Sequence, residues 1–499
     1  MRRALAVLLV LGAAAAGLAG WLRRPEASPG RRAPLIVIGI DGGEWKVIHR
    51  LWTEGKLPNL KALADRGTAA SLRTAYNSSP VIWTTIATGV TPPVHGITDF
   101  VVATPQGDVP ISSEVRKVPA LWNMLSRAGR RVAVLGWWGS WPSEEVNGIV
   151  VSDRALLDLP DRVSPTAYLP TFFSDLRAAD ADPGLFHEDE PERRDRVVAR
   201  TAEKLAQEGF DLVLVYFRSP DIVSHNHWKG FEPERFPGSP ELDASQGEVP
   251  RIYEAVDREI GRIVAAAPPD ANVLVLSDHG FHAAQGEEIK VFFDMDALLA
   301  RLGYRSRVYT YATPAFRPAK VLRFTQPDGN LRRQLEADLA AVTNERGEPV
   351  LAVRDVRPKR GEDGDLVAVV QLEKVTKTLL VRGRPFGGVV QSISRISGTH
   401  TRTTHGIFLA AGPDIQKGAA LEGIHIHDIA PTILYGLGLP VAEDFAGQPR
   451  TDLFSEAFRS SHPVRTVRTW GVREEGGKAR SSEADEDLLN ELRSLGYIN

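Results

Sequence analysis

The 499-residue sequence predicts an α/β fold built on a mostly parallel, doubly wound sheet. Three continuous apolar runs of strand length, at 35–40, 211–217 and 271–277, suit strands that are buried on both faces of such a sheet. Stretches of helical character alternate with these runs along the chain. Apolar and charged fractions of 43% and 25% are ordinary for a globular protein, so we expect most of the chain to fold.

Composition narrows the function before any motif is considered. The formal net charge is −3 and no basic block stands out, so nucleic acid is not expected as a partner. The chain has no cysteine, which excludes disulfides, thiolate metal sites and a cysteine nucleophile. A bound metal would need His, Asp and Glu ligands, a set that suits Zn²⁺ or Mn²⁺.

The N-terminus has the pattern of an export segment. An uncharged run of small and apolar residues at 4–22 is flanked by arginine pairs on both sides. Its length is close to the roughly 20 residues that span a bilayer, so a retained membrane anchor is the alternative to cleavage. We therefore assign 1–33 to a signal or anchor plus linker and predict an exported protein, periplasmic or extracellular.

A core domain is predicted from the strands and helices that follow, at 34–285 and again at 396–460. A further strand is expected at 131–136, and helices at 57–66, 121–128, 192–207, 250–267 and from 427 onward. Most charges of the 192–207 helix are expected to face solvent. Trp137, Trp138 and Trp141 follow the 131–136 strand, where they either pack or line a pocket.

The stretch from Ser78 to Gly89 predicts a helix with a special N-terminus. Ser78 or Ser79 suits the N-cap, Pro80 the first helical position and Gly89 the stop. A hydroxyl there lies where backbone N–H groups point at an anion, which suits a nucleophile that attacks phosphorus. The alternative is that both serines are only caps.

Residues 286–395 have shorter apolar runs mixed with Arg, Pro and Gly, and we interpret them as an inserted cap or lid module. A helix is expected at 331–343 and strands at 366–372 and 378–381. Residues 461–499 are predicted to be a polar tail that ends in a short helix at 487–495.

Acidic residues follow three of the predicted strands: Asp41, Asp221 and Asp278. His225 and His279 lie close to two of them, and a later segment brings His400 and His405. Because parallel strands end at one edge of a sheet, we expect these side chains to converge there. Two divalent metals that share Asp and His ligands would need this inventory.

These motifs resemble the alkaline phosphatase superfamily and, within it, the type I phosphodiesterase/nucleotide pyrophosphatase-like phosphohydrolases. The resemblance covers most of 34–285 and 396–450 and rests on the following motifs: Ile40-Asp41-Gly42, Ser79 through Gly89, His95-Gly96-Ile97, Asp221 with His225, Ser277-Asp278-His279-Gly280, Gly398-Thr399-His400 and His427-Asp428-Ile429-Ala430-Pro431-Thr432. It implies an alkaline-phosphatase-like three-layer α/β/α sandwich with an inserted cap module.

The resemblance also implies roles for individual residues. Ser79 matches the nucleophile, which lies about ten residues before a Thr-Gly pair in the family. One zinc would be held by Asp41, Asp278 and His279 together with the Ser79 oxygen. The other would be held by Asp221, His225 and a late histidine, which the Gly-x-His motif identifies as His400, with His405 as the alternative. His95, His227, His425 and His427 are interpreted as structural or supporting residues.

The implied reaction is hydrolysis of phosphoesters of the diester or pyrophosphate type, on a small molecule or on a lipid- or glycan-linked group. Many nucleotide pyrophosphatases carry an asparagine shortly after His-Gly-Ile, where this chain has Asp99-Phe100. Nucleotide specificity therefore stays open. Arg218 and Asn77 are candidates for the phosphate contact, and an exposed salt bridge is the alternative for Arg218.

The same predicted site residues are also compatible with other functions. A sulfatase would carry an arginine where Ile82 stands, which argues against that activity. Phosphomonoesterase, phosphomutase and phospho-group transferase activities use the same nucleophile and stay open. An exported binding protein that keeps the metals without turnover is the non-enzymatic alternative.

Overall fold

The computed structural model describes residues 32–105, 107–239, 242–311, 319–326, 328–355, 366–494 and 497–498. The segment predicted for export, at 4–22, lies outside these residues. Within the described ranges, no helix combines the length and the apolar character needed to cross a membrane.

The strands are, in chain order, β1 (Leu35–Ile40), β2 (Thr68–Leu72), β3 (Val101–Thr104), β4 (Gly107–Pro110), β5 (Val132–Leu135), β6 (Gly148–Val151), β7 (Val163–Ser164), β8 (Leu212–Phe217), β9 (Asn272–Leu276), β10 (His282–Phe293), β11 (Val308–Tyr311), β12 (Ala319–Phe324), β13 (Val342–Thr343), β14 (Leu351–Asp355), β15 (Leu366–Val370), β16 (Leu379–Val381), β17 (Arg384–Phe386), β18 (Val390–Thr399), β19 (Gly406–Ala411), β20 (Val441–Ala442) and β21 (Thr466–Val467). The α-helices are α1 (Trp45–Thr53), α2 (Pro58–Arg66), α3 (Ser79–Thr88), α4 (Pro92–His95), α5 (Leu121–Arg127), α6 (Leu169–Ala181), α7 (Glu190–Ala206), α8 (Ser219–Phe231), α9 (Leu242–Ser245), α10 (Glu248–Ala266), α11 (Met295–Arg301), α12 (Gly329–Ala340), α13 (Ile429–Gly436), α14 (Glu456–Ser461) and α15 (Asp485–Ser494). The core strands and helices expected from the apolar runs are confirmed, with ends that differ by a few residues.

The central sheet has the strand order β2-β19-β9-β1-β8-β5-β6-β7. Strands β9, β1, β8, β5 and β6 run parallel to one another, whereas β19, β2 and β7 join antiparallel. The predicted mostly parallel sheet is confirmed. Ile40 pairs with Phe217, and Gly39 pairs with Leu276, so β1, β8 and β9 end at the same edge.

Helices cover both faces of this sheet and give the three layers of an α/β/α sandwich. On one face, Val37, Leu214 and Leu274 share a buried apolar cluster with residues of α3, α5 and α13. Helix α3 approaches closely, because a Cβ at Gly39 would lie 2.7 Å from the Trp83 ring. Helices α7 and α2 contact the sheet as well, and α10 packs against both.

Helix α7 corrects one expectation from the sequence. Four charged side chains near its start are buried, although this helix was expected to turn most of its charges to solvent: Glu192, Arg194, Asp195 and Arg196. The reason is that α7 packs against β5 and β8 as well as α6 and α10, so little of its first half is left to face water.

The chain divides into two compact units. The first comprises 1–231, 241–282 and 399–485, and the second comprises 232–240, 283–398 and 486–499. The second unit has its own apolar cluster, in which Leu298 and Leu335 of α11 and α12 pack with residues of β12 and β15. The module predicted at 286–395 lies within it, and its role as a cap stays a prediction.

Candidate metal centre and nucleophile

Three adjacent strands deliver the candidate ligands to one place. Asp41 directly follows β1. Its backbone N–H donates to Phe217 O at 2.8 Å, so the pairing of β1 with β8 extends to this residue. Asp278 and His279 follow β9, and Asp221 lies in the first turn of α8, just after β8. The parallel register therefore brings side chains together that are more than 200 positions apart in the sequence.

Asp41, Asp278 and His279 form a fully buried group in which ligand atoms lie within 4.8 Å of one another. The Nε2 atom of His279 is 3.5 Å from Asp41 Oδ1 and 3.3 Å from Asp278 Oδ2. Gly42 N donates to Asp278 Oδ1 at 3.2 Å, and the Tyr216 hydroxyl donates to Asp41 Oδ2. Each aspartate thus has one oxygen held by the protein and one turned toward the imidazole.

Ser79 is the first residue of α3, with Ser78 at the N-cap, Pro80 in the second position and Gly89 as the C-cap. Its Oγ donates to Asp41 Oδ1 at 3.2 Å and lies 3.4 Å from His279 Nε2. The Ser78 hydroxyl is buried and has no hydrogen-bond partner among the described residues. Of the two serines, Ser79 is the one that contacts the ligand group.

Asp221, His279 and His400 form a second group by the same distance criterion. The His400 and His279 rings stack with centroids 3.5 Å apart, and the His225 ring lies 5.3 Å from that of His400. His225 lies one helical turn after Asp221, with its Nε2 atom 3.5 Å from Asp221 Oδ1. His279 therefore belongs to both groups, while His225 stands next to the second one.

The alternative late histidine lies elsewhere. His405 is exposed and belongs to neither ligand group. It lies near His425, whose pKa is lowered by burial and further by His405. The structure brings His400 to the predicted centre and leaves His405 outside it.

Burial is the main influence on the titration of these groups, and neighbouring like charges add to it. Burial raises the pKa of Asp278 well above its usual value, and the neighbouring charges of Asp41 and Asp221 raise it further. Burial also lowers the pKa of His400 well below its usual value, followed by the effect of His279 and His225. Three carboxylates and three imidazoles are packed together away from water, an arrangement that a bound cation would stabilise.

The donor atoms fit divalent cations. Asp278 Oδ2 and His400 Nδ1 are buried and find no hydrogen-bond partner among the described residues. Buried polar atoms are normally paired, so these two mark positions where a bound cation would satisfy them. Carboxylate oxygen and imidazole nitrogen are the ligands that zinc takes in cysteine-free sites.

The remaining histidines lie outside both groups. His95 is buried and makes a 3.0 Å contact with Thr85 of α3, and burial lowers its pKa to about 3. His425 and His427 stack on each other with Nδ1 atoms 2.8 Å apart. A third group of possible ligands, His187, Asp189 and Glu192, lies largely at the surface, and Arg251 already pairs with Glu192 at 2.6 Å.

Sequence reasoning missed the residues that support Asp41. Tyr216 is buried, its pKa is raised by burial and by the charges of Asp41 and Asp278, and Trp138 donates to its hydroxyl at 2.6 Å. Arg218 is 6% exposed, so the exposed salt bridge considered for it is wrong. The position of Tyr216 near the end of β8 was the available signal, because its register partner Gly39 lies two residues before Asp41.

A comparison with sequence profiles of protein families identifies the family of this chain. The sequence profile described as type I phosphodiesterase/nucleotide pyrophosphatase matches residues 35–384. Structures of the human and murine ectonucleotide pyrophosphatase/phosphodiesterase 5 are 15% and 17% identical, cover 85% of this chain and 100% of theirs, and give TM-scores of 0.44. Phosphonoacetate hydrolase from Sinorhizobium meliloti is 17% identical, with 82% and 95% coverage and a TM-score of 0.40. No curated protein sequence matches the chain.

Proposed function

The chain is a phosphoric ester hydrolase of the type I phosphodiesterase/nucleotide pyrophosphatase family, and on this premise we propose that it acts with Ser79 as nucleophile beside two divalent metal ions. The observation that carries the proposal is the position of the Ser79 hydroxyl, 3.2 Å from Asp41 and 3.4 Å from His279, within a group of buried metal-type ligands.

The ligand assignment follows the two groups. Asp41, Asp278 and His279 would hold one ion together with Ser79 Oγ. Asp221, His225 and His400 would hold the other, because His279 has a single Nε2 atom to offer and is claimed by the first ion. Such ions, Zn²⁺ or alternatively Mn²⁺, would lower the pKa of a coordinated hydroxyl and offset charge on a phosphoryl group.

The reaction at Ser79 is written in two displacements. The Ser79 oxygen attacks phosphorus and gives up its proton to solvent, a P–O bond to Ser79 forms, and the bond to the leaving oxygen breaks, so that the leaving group takes up a proton from solvent and departs as the alcohol. Water then attacks the phosphoserine and loses one proton, the new P–O bond replaces the bond to Ser79, and the released serine oxygen takes up a proton, which restores its hydroxyl. Asp41 holds the serine hydroxyl toward the centre, and Tyr216 holds Asp41.

The finer substrate assignment rests on the family. A diester or pyrophosphate substrate is preferred over a monoester, on a small molecule or on a lipid- or glycan-linked phosphate. Export through residues 1–33, followed either by cleavage or by retention of this segment as a membrane anchor, belongs to the same proposal. A transferase would form the same phosphoserine but pass the group to an alcohol.

A paired rate assay on the full-length protein with added Zn²⁺ tests the proposal. Bis-p-nitrophenyl phosphate and p-nitrophenyl phosphate are compared for wild type, Ser79→Ala and Ser78→Ala. We expect faster diester hydrolysis, a loss of at least about 10³-fold in Ser79→Ala, and a change within about threefold in Ser78→Ala.

The opposite outcomes are equally informative. Faster monoester hydrolysis would make the enzyme a phosphatase. If Ser79→Ala stays as active as wild type, or if Ser78→Ala loses the activity instead, the nucleophile assignment is wrong.

A further inference from the structure

A second polar cluster lies next to Asp41, on the side that Tyr216 covers. The Cζ atom of Arg194 in α7 lies 5.8 Å from the centre of the Tyr216 ring. Trp138, which follows β5, donates its Nε1–H to the Tyr216 hydroxyl, and the Arg218 guanidinium lies over the Trp138 ring at 5.0 Å. Two guanidinium groups and two aromatic rings therefore share the sheet edge that carries the candidate nucleophile.

Arg194 is buried without enough acceptors. The residue is 6% exposed, and its Nη1 atom donates to Asp153 O at 3.4 Å. Its Nε and Nη2 atoms are buried and find no hydrogen-bond partner in the part of the chain that the structure describes. A buried guanidinium with unused N–H groups is unfavourable unless an anion or another acceptor meets it.

The carboxylates of Asp195 and Asp153 already accept hydrogen bonds from other donors. Asp195 Oδ1 accepts from Arg218 N at 3.1 Å, and its Oδ2 accepts from the Ser219 amide and hydroxyl at 2.7 and 2.6 Å. Asp153 accepts from the backbone amides of three residues that follow β5: Gly139, Ser140 and Trp141. The charge of Arg194 acts on Asp195, but neither carboxylate forms a salt bridge with Arg194 among the described residues, so its Nε–H and Nη2–H groups stay available to another anion.

We propose that Arg194, with Arg218 beside it, binds a second anionic group of the substrate, a phosphate or carboxylate carried on the part of the ester that stays attached to phosphorus during the first displacement. The planar fork of N–H groups on a guanidinium matches both of these anions. This inference rests on the proposed phosphoesterase function and narrows its substrate to phosphoesters with an additional negative charge.

Three diesters with the same p-nitrophenolate leaving group test the subsite. Their other arms are methyl, 2-carboxyethyl and 2-phosphooxyethyl. We expect full-length wild type to prefer at least one charged arm over methyl by about tenfold or more in kcat/KM, which corresponds to one charge-assisted contact. The larger preference identifies carboxylate or phosphate as the natural anion.

Arg194→Gln should bring this ratio close to one. Arg193→Gln is the matched control, because Arg193 is the neighbouring residue of the same helix and pairs at the surface with Asp180 at 2.8 Å. The control should keep the wild-type ratio. Arg194→Lys retains the charge and should keep part of the preference, which covers the case in which the glutamine variant does not fold.

A wild-type ratio near one, or a ratio that Arg194→Gln leaves unchanged, overturns the subsite. If none of the esters is hydrolysed, the proposed function fails, and the subsite is then tested by binding alone. In EDTA, inorganic pyrophosphate should raise the melting temperature of wild type and Arg193→Gln more than that of Arg194→Lys. Equal shifts in all three proteins would reject an anion site at Arg194.

Discussion

The two halves of the candidate centre are built in different ways. The strand-end group (Asp41, Ser79, Asp278 and His279) is fixed by adjacent strands, by the start of α3, and by hydrogen bonds from Gly42 N and the Tyr216 hydroxyl. The helix–loop group (Asp221, His225 and His400) combines one turn of α8 with the short connection between β18 and β19.

The positions of the strand-end group are determined by strand register, whereas those of the helix–loop group depend in part on the conformation of a connection. Strand register determines the first group to within one residue, because a shift would move every side chain to the other face of the sheet. The second group depends on the conformation of a connection whose neighbouring residues, such as Thr401 and Thr403, are exposed. We therefore expect the first group to bind its ion more tightly and to tolerate substitution less.

The largest effect is expected from Asp278→Asn compared with His225→Gln. Asp278→Asn removes a charged ligand from the rigid group and should lower kcat/KM by at least about 10³-fold, or roughly 4 kcal/mol. It should also lower the bound metal from two ions to one or none. His225→Gln should keep one ion per chain, as measured by elemental analysis after gel filtration. Loss of both ions from His225→Gln would remove the distinction between the groups.

A smaller effect should separate His400 from His405. His400→Gln removes a predicted ligand of the helix–loop group, and we expect a loss of about 10²-fold or more in kcat/KM that excess Zn²⁺ partly restores. His405→Gln should stay within about threefold of wild type, because that side chain is exposed. The reverse order would show that the connection between β18 and β19 rearranges when metal binds.

Tyr216→Phe tests what holds the strand-end group in place. The variant loses the hydrogen bond to Asp41 Oδ2 and should lose about 10- to 100-fold in metal affinity or activity, as for other residues that orient a ligand. Tyr435→Phe is the control, because its hydroxyl bonds to His462 O instead. An unchanged metal affinity in Tyr216→Phe would mean that the strands alone position Asp41.

The smallest effect is expected for the pH dependence of stability that arises from His95, which contacts helix α3. Burial lowers the pKa of His95 to about 3 from 6.5, so the folded protein keeps this side chain neutral while the unfolded chain takes up a proton. Stability is therefore present above pH 6.5 and is lost as the pH falls, by about 1.4 kcal/mol per unit. Urea unfolding at pH 7.5 and 5.0 should show a smaller pH dependence for His95→Gln than for wild type. The exposed His49→Gln should match wild type, and an equal slope in His95→Gln would assign the acid sensitivity to other groups.

Much of the strand-end group could be predicted from the sequence. Apolar runs locate β1, β8 and β9, and the residues that follow them are forced to one edge by the parallel sheet. The choice between His400 and His405 could not be made from spacing alone, because the length of a connection does not determine its path. Residues 4–22 are not among the described residues, so the export segment stays a prediction.

The buried charges of α7 were missed for a different reason. A charged residue was assumed to face solvent, yet Arg194 lies three and four positions before Val197 and Val198, at the spacing that places residues on one face of a helix. Both valines are buried. The burial of Arg194 could therefore have been predicted from its position on the apolar face of the helix, although its charge suggests exposure.

The oxygens of Asp41 and Asp278 also decide which cations can compete for the site. One oxygen of each carboxylate already accepts a hydrogen bond, from Tyr216 or from Gly42, which makes binding of a cation by both oxygens of either residue less favourable. Calcium requires six to eight oxygen ligands and often takes both oxygens of a carboxylate. We therefore expect the proposed centre, with imidazole nitrogens beside these carboxylates, to bind zinc in preference to calcium even where calcium is far more abundant.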